Sequence, residues 1–230
     1  MTAPEAPTPE VTKAVAHGLR VTALWVILVV LVIIAIQLAL PDVVTPGPIW
    51  LVPFIELIGV PIVGALIFFA GKHLRLIYAA MTLFLTILVL ASVMNAVLLL
   101  LSLLAGFSEQ GGPLLFAGFG VLIINVLSFG LVYWWLDGGG PLARALGKAE
   151  NPDFLFPQQG MDGQENWKPG LLDYLFTAYT NIIAFSPTDT MPLTHRVKIL
   201  FTVQSATALL TIVVTLSRAI NLIPGGTPPS

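Results

Sequence analysis

Five polar residues near the C-terminus, Gln204, Thr207, Thr211, Thr215 and Arg218, are spaced by 3, 4, 4 and 3 positions, so on a helix they share one face. A row of hydroxyls and an amide can replace part of a cation's hydration shell, which is the chemistry of a pore wall. The same row can pack against another helix instead, since Ser and Thr are common at helix contacts in membranes and bond back to their own backbone. Upstream, Thr180, Ser186, Thr188 and Asp189 lie in TNIIAFSPTDTMP, an oxygen-rich stretch with the composition of a turn. Asp189 is suited to attracting a cation there, and equally suited to capping the helix that follows. Asp173 has the same capping character at the start of its own segment. Glu56, between Pro53 and Pro61, is the one carboxylate well inside the first four apolar runs. A charge at that depth needs a partner or a proton, and Arg218 is the expected partner, as a structural ion pair or a proton relay. Asn95 and Asn125 read as interhelical hydrogen-bonding residues.

Other chemistry is excluded by what the chain lacks. It has no cysteine and three histidines, His17, His73 and His195, all in flanks or loops, so a histidine metal site inside the membrane is not expected. HExxH and GxSxG do not occur, MDGQEN lacks the oxygen spacing of a calcium loop, and the run Gly138 to Gly140 has no phosphate-loop context. The expectation is a protein without enzymatic activity, catalytic residues or cofactor. Net charge is −2 with no basic cluster, which gives no reason to expect nucleic acid as a partner.

The elements that must position these residues are membrane spans. Of 230 residues, 57% are hydrophobic and 10% charged, against roughly 25% charged in a soluble domain. Apolar runs at about 21–40, 49–70, 77–104 and 114–136 each approach or exceed the ~20 residues that cross a hydrocarbon core. The first is read as a retained span, not a cleaved signal. Residues 137–170 are polar and Gly/Pro-rich, a loop with one helical turn near 142–148. Residues 171–185 form a short apolar segment, and 193–222 a last long helix. The expected fold is all-α, a polytopic transmembrane helical bundle of five full spans plus a re-entrant pore-like helix and turn, with six spans as the alternative. The expected organisation is a disordered cytoplasmic tail at 1–20, a four-helix region at 21–136, a cytoplasmic loop at 137–170, a re-entrant module at 171–222 and a disordered tail at 223–230. Lys13, Arg20, Lys72, Arg75, Arg144, Lys148 and Lys168 fall on one side, which puts the N-terminus in the cytoplasm.

Residues 173–221 resemble the pore module of the potassium-channel-like ion channel superfamily. Thr177, Thr180, Asp189, Pro192 and Thr194 match its pore-helix threonines, its Asp and its Pro-x-Thr turn. Where those channels have Gly-Tyr-Gly, this chain has Ser186, Pro187 and Thr188, and Pro187 cannot adopt the positive φ of a carbonyl-lined filter. With WLDGGGP, DFLFPQ and DYLFTAYTNIIAFSPTDTMPLT, the whole chain also resembles a family of uncharacterised bacterial integral membrane proteins. The resemblances imply a bacterial inner (plasma) membrane location, a homo-oligomer, and a monovalent cation as ligand of Thr180, Ser186, Thr188 and Asp189. The lining helix would contribute Gln204, Thr207, Thr211 and Thr215. The lipid bilayer is the other partner. The expected function is that of an ion-channel-like integral membrane protein that conducts or binds cations, and a non-conducting scaffold or interaction protein that keeps a degenerate pore fold is the competing expectation.

Overall fold

The computed structural model describes residues 9–40, 50–69, 74–105, 111–145, 147, 149, 151–164, 167–183 and 190–222. Seven α-helices occur among them, besides two short 3-10 turns: α1 (Pro9–Ala39), α2 (Leu51–Phe69), α3 (Leu74–Leu104), α4 (Gly111–Leu136), α5 (Pro141–Ala145), α6 (Leu171–Ile183) and α7 (His195–Leu222). Strands β1 (Phe154–Leu155) and β2 (Met191–Pro192) form a minimal antiparallel pair, with Phe154 opposite Pro192 and Leu155 opposite Met191. Helix α1 starts at Pro9, well before the apolar run, so residues 9–20 are helical and not the disordered tail expected. Proline suits a first helical position, where its missing N–H has no intrahelical partner, and the following EVTKAVAHGLR continues the helix up to the apolar run.

Helices α3, α4 and α7 are each long and apolar enough to cross a bilayer; the apolar parts described in α1 and α2, Ala23–Ala39 and Leu51–Pro61, are shorter. Large apolar side chains lie on the outside as well as the inside: Leu24, Leu28 and Leu31 on α1, Leu83 and Leu90 on α3, Val213 and Ile220 on α7. Exposed apolar surface around a helical bundle is the mark of a protein solvated by lipid. This is a membrane-embedded, mostly helical protein.

Helix α4 is the hub. It packs on α1, α3, α6 and α7, while α2 packs on α1 and α3. Trp135 Nε1 donates to Thr82 Oγ1 at 2.9 Å, and Trp135 stacks on Tyr78, which fixes the antiparallel register of α3 and α4. Gly130 lets α6 approach: a Cβ there would lie 3.0 Å from the Leu175 backbone. Helix α6 turns Leu172, Phe176, Tyr179 and Ile183 outward and Tyr174, Thr177, Ala178 and Asn181 inward. Its outer face is apolar and its inner face polar, the reverse of an amphipathic helix in water.

Candidate functional site

Polar side chains collect in three places. The first is a knot where α4 ends. Gly138, Gly139 and Gly140 have φ of 56°, 81° and 98°, a left-handed course that only glycine follows without strain. It folds the chain back so that Arg144 on α5 donates to the carbonyls of Asp137 and, at 2.7 Å, Trp134, closing the C-terminus of α4. The buried Asp137 carboxylate accepts at Oδ1 from the backbone N–H of Asp153 (2.7 Å) and Phe154 (3.3 Å), and at Oδ2 from the Tyr174 hydroxyl (2.5 Å). Asp153, 0% exposed, accepts from Thr194 Oγ1 at 2.5 Å and from Arg196 through Nε at 2.7 Å and through Nη2 in an ion pair; Arg196 also reaches the carbonyl of Leu136. Burial alone would raise the Asp153 carboxyl, but the bonds from Arg196 and Thr194 and the Arg196 charge outweigh it and hold it below the ordinary aspartate value. Burial pushes Arg144 the other way, below the usual arginine value, although Tyr174, Asp137 and Asp153 oppose the shift. The Phe154 ring fills the space between Tyr133, Tyr174 and Phe201. Two carboxylates thus fasten the 137–170 loop and the starts of both α6 and α7 to one end of α4.

The second place is centred on Gln204, which is 0% exposed. Its Oε1 accepts from the Tyr133 hydroxyl of α4 at 2.7 Å and from Asn181 Nδ2 of α6 at 2.8 Å, and its Nε2 donates to the Ala178 carbonyl at 3.1 Å. Ser205 donates to Asn181 Oδ1 at 2.9 Å. Gln204 therefore holds three helices together and does not face an open path among the described residues. The rest of its stripe behaves similarly. Thr211 is buried and donates to the Thr207 carbonyl, Thr207 is half-buried and donates to the Val203 carbonyl, and the buried Thr215 lies against Gly118. Thr180 donates to the Thr177 carbonyl at 3.1 Å, while Thr177 reaches Thr190 beyond the turn at 3.2 Å. Asp173 accepts from the Gly170 N–H at 2.7 Å, the capping role expected of it. Ser186, Thr188 and Asp189 lie outside the described residues.

The third place is inside the bundle. Glu56 does not pair with Arg218. Its Oε1 accepts from Gln37 Nε2 of α1 at 2.8 Å, and the one ion pair among the described residues is that of Arg196 with Asp153. The reason is architectural: α2 packs on α1 and α3, whereas α7 packs on α3, α4 and α6. Arg218 is half-buried with its Nε unpartnered. Asn95 and Asn125 also depart from expectation, for neither amide bonds to another helix, and Ser92 and Ser128 are equally unpartnered. Ten residues on from Thr82 is Ser92 and ten back from Trp135 is Asn125, so the bonded Thr82–Trp135 pair sets Ser92 and Asn125 at one depth, with Asn95 and Ser128 about one turn to either side.

Asp137, Asp153, Tyr174 and Arg196 do not stand out as site residues in the sequence, although WLDGGGP and DFLFPQ carry the acids. A signal was present: each acid adjoins aromatic residues and glycine or proline, and is not part of a run of charge. Among the described residues no group of His, Cys, Asp and Glu is arranged to hold a metal. No family model, curated protein or solved structure matches the chain.

Proposed function

We propose that the protein is a non-conducting membrane scaffold or interaction protein of the bacterial inner membrane, with five full crossings, a re-entrant α6 and a cytoplasmic N-terminus. Gln204 carries the reading. The side chain best placed to line an aqueous path is fully buried and spends its hydrogen bonds on Tyr133, Asn181 and Ala178. The re-entrant course is supported by the knot, because Tyr174 at the start of α6 and Arg196 at the start of α7 both attach to the Asp137–Asp153 pair. The same knot orders a polar loop far longer than the usual connection between helices, and such loops are usually functional.

A cation-conducting or cation-binding homo-oligomer is the second reading. It is favoured by an open groove of about 520 Å³ beside α6, lined in part by Asn181, Lys198, Thr202 and Ser205. An oligomer would place its axis along this face of α7 and not along the Gln204 stripe. Lys198 on that wall would work against cations.

Purified protein in liposomes separates the two. The scaffold reading expects no ion flux above protein-free vesicles for wild type or Asp189→Asn; flux that Asp189→Asn alters would overturn it. Labelling of Thr2→Cys and Ser230→Cys with an impermeant maleimide in intact cells tests the topology. An odd number of crossings exposes only the Ser230 variant.

A further inference from the structure

Gln37 and Glu56 are 1% and 0% exposed, and their side chains meet across α1 and α2 through one hydrogen bond of 2.8 Å. The other half of the pair is unmatched. Gln37 Oε1 and Glu56 Oε2 are both buried without a partner, and both are acceptors when the carboxyl is ionised. Flipping the amide does not help, since it would set oxygen against oxygen at the contact that is now good. One proton on Glu56 Oε2 supplies a donor where the unmatched half of the pair has two acceptors and none.

We propose that Glu56 and Gln37 form a proton-binding site inside the membrane, with Glu56 carried as the neutral acid. The surroundings agree. Helix α2 has no other titratable residue, and it packs on α1 and α3. Along α1 the charged and titratable positions are Glu10, Lys13, His17 and Arg20, with Arg20 seventeen residues, or roughly 25 Å of helix, from Gln37. Along α3 they are Arg75 and Tyr78, at its first turns, whereas α2 meets α3 further on, where Gly59 lies against Phe84. Among the described residues no cation pairs with Glu56, and an ionised carboxylate at this depth without one is strongly disfavoured. The ligand is a proton, and its site is built by two helices that the pore-like segment does not include.

The test is infrared spectroscopy of the full chain in nanodiscs at neutral pH, in light and heavy water. A protonated carboxyl absorbs above the amide band and moves down on deuteration. Wild type should show such a band, and Glu56→Gln, which replaces the acid by an amide of the same shape, should lose it with helical content unchanged. Gln37→Leu should retain the band and move it up, because the acid loses its hydrogen-bond partner. The proposal is overturned if the wild-type and Glu56→Gln spectra coincide in this region. Should Glu56→Gln fail to fold, an unshifted band in Gln37→Leu overturns it equally.

Discussion

Replacing Gln204 by leucine tests whether the α7 stripe is glue or pore wall. The change keeps most of the side-chain volume and deletes three hydrogen bonds, at 2.7 Å to Tyr133, 2.8 Å to Asn181 and 3.1 Å to Ala178. Interhelical hydrogen bonds in membranes average about 0.6 kcal/mol and reach about 1.7 kcal/mol, so three are together worth about 2 kcal/mol. Asn181 Nδ2 keeps a second acceptor in the Phe201 carbonyl at 3.2 Å, and the Tyr133 hydroxyl keeps the Asn181 side chain as a partner, so little is added to that sum. The expected loss is about 1–3 kcal/mol, read as a shift in the equilibrium unfolding of the purified protein in mixed micelles titrated with denaturing detergent. Thr207→Val is the internal control. Its hydroxyl bonds only to the Val203 carbonyl of its own helix, so its loss should stay within about 0.5 kcal/mol. If Gln204→Leu unfolds with the wild-type protein while either variant changes ion flux, the stripe faces water and the scaffold reading is wrong.

Three further outcomes are expected from the same packing. The folded Asp153 carboxyl lies below its unfolded value of about 3.9, so its stabilising contribution is complete above pH ~4 and is lost as pH falls through the folded value; Asp153→Asn should flatten that acid limb in a pH series of thermal melts. Gly118→Ala would place a methyl 2.6 Å from Thr215 Cγ2, so it should cost about 1–3 kcal/mol by forcing α4 from α7, and Thr215→Ser, which removes that methyl, should restore most of the loss in a double-mutant cycle. Tyr174→Phe deletes the buried 2.5 Å bond to Asp137 and should lower stability by about 1.5–3 kcal/mol, with earlier proteolysis of the 137–170 loop as the local readout.

The long apolar runs show where the helices would form because burial in lipid demands continuous apolar sequence, and α3, α4 and α7 end within a few residues of the expected limits. The knot was not legible for a reason of distance. Asp137 meets Tyr174 37 residues on, and Asp153 meets Arg196 43 residues on, so no local period could join them. The short pairing of β1 with β2 is equally long-range, and it brings DFLFPQ against the turn before α7. Glu56 was legible as an anomaly, because one carboxylate between two prolines in an apolar run stands out by itself. Its partner was not, since choosing between Gln37 and Arg218 requires knowing that α1 lies on α2 and that α7 does not.

The polar stripes raise a different point, since their periodicity is visible in the sequence whereas their direction, pore wall or helix contact, is not. A stripe on a helix in water faces out, because the outside is polar and the core is not. In a bilayer the outside is hydrocarbon, where an unpaired hydroxyl or amide is costly, so the same stripe turns towards protein unless a water-filled cavity is built for it. Helix α6 obeys this, with Tyr174, Thr177 and Asn181 inward and Leu172, Phe176 and Ile183 outward. Helix α7 obeys it with Gln204, Thr211 and Thr215 buried while Ile199, Val213 and Ile220 are exposed. The polar positions that break the rule are the informative ones: Lys198, Thr202 and Ser205 border an open groove, and if this protein has a wet face, it is there and not along the longer stripe.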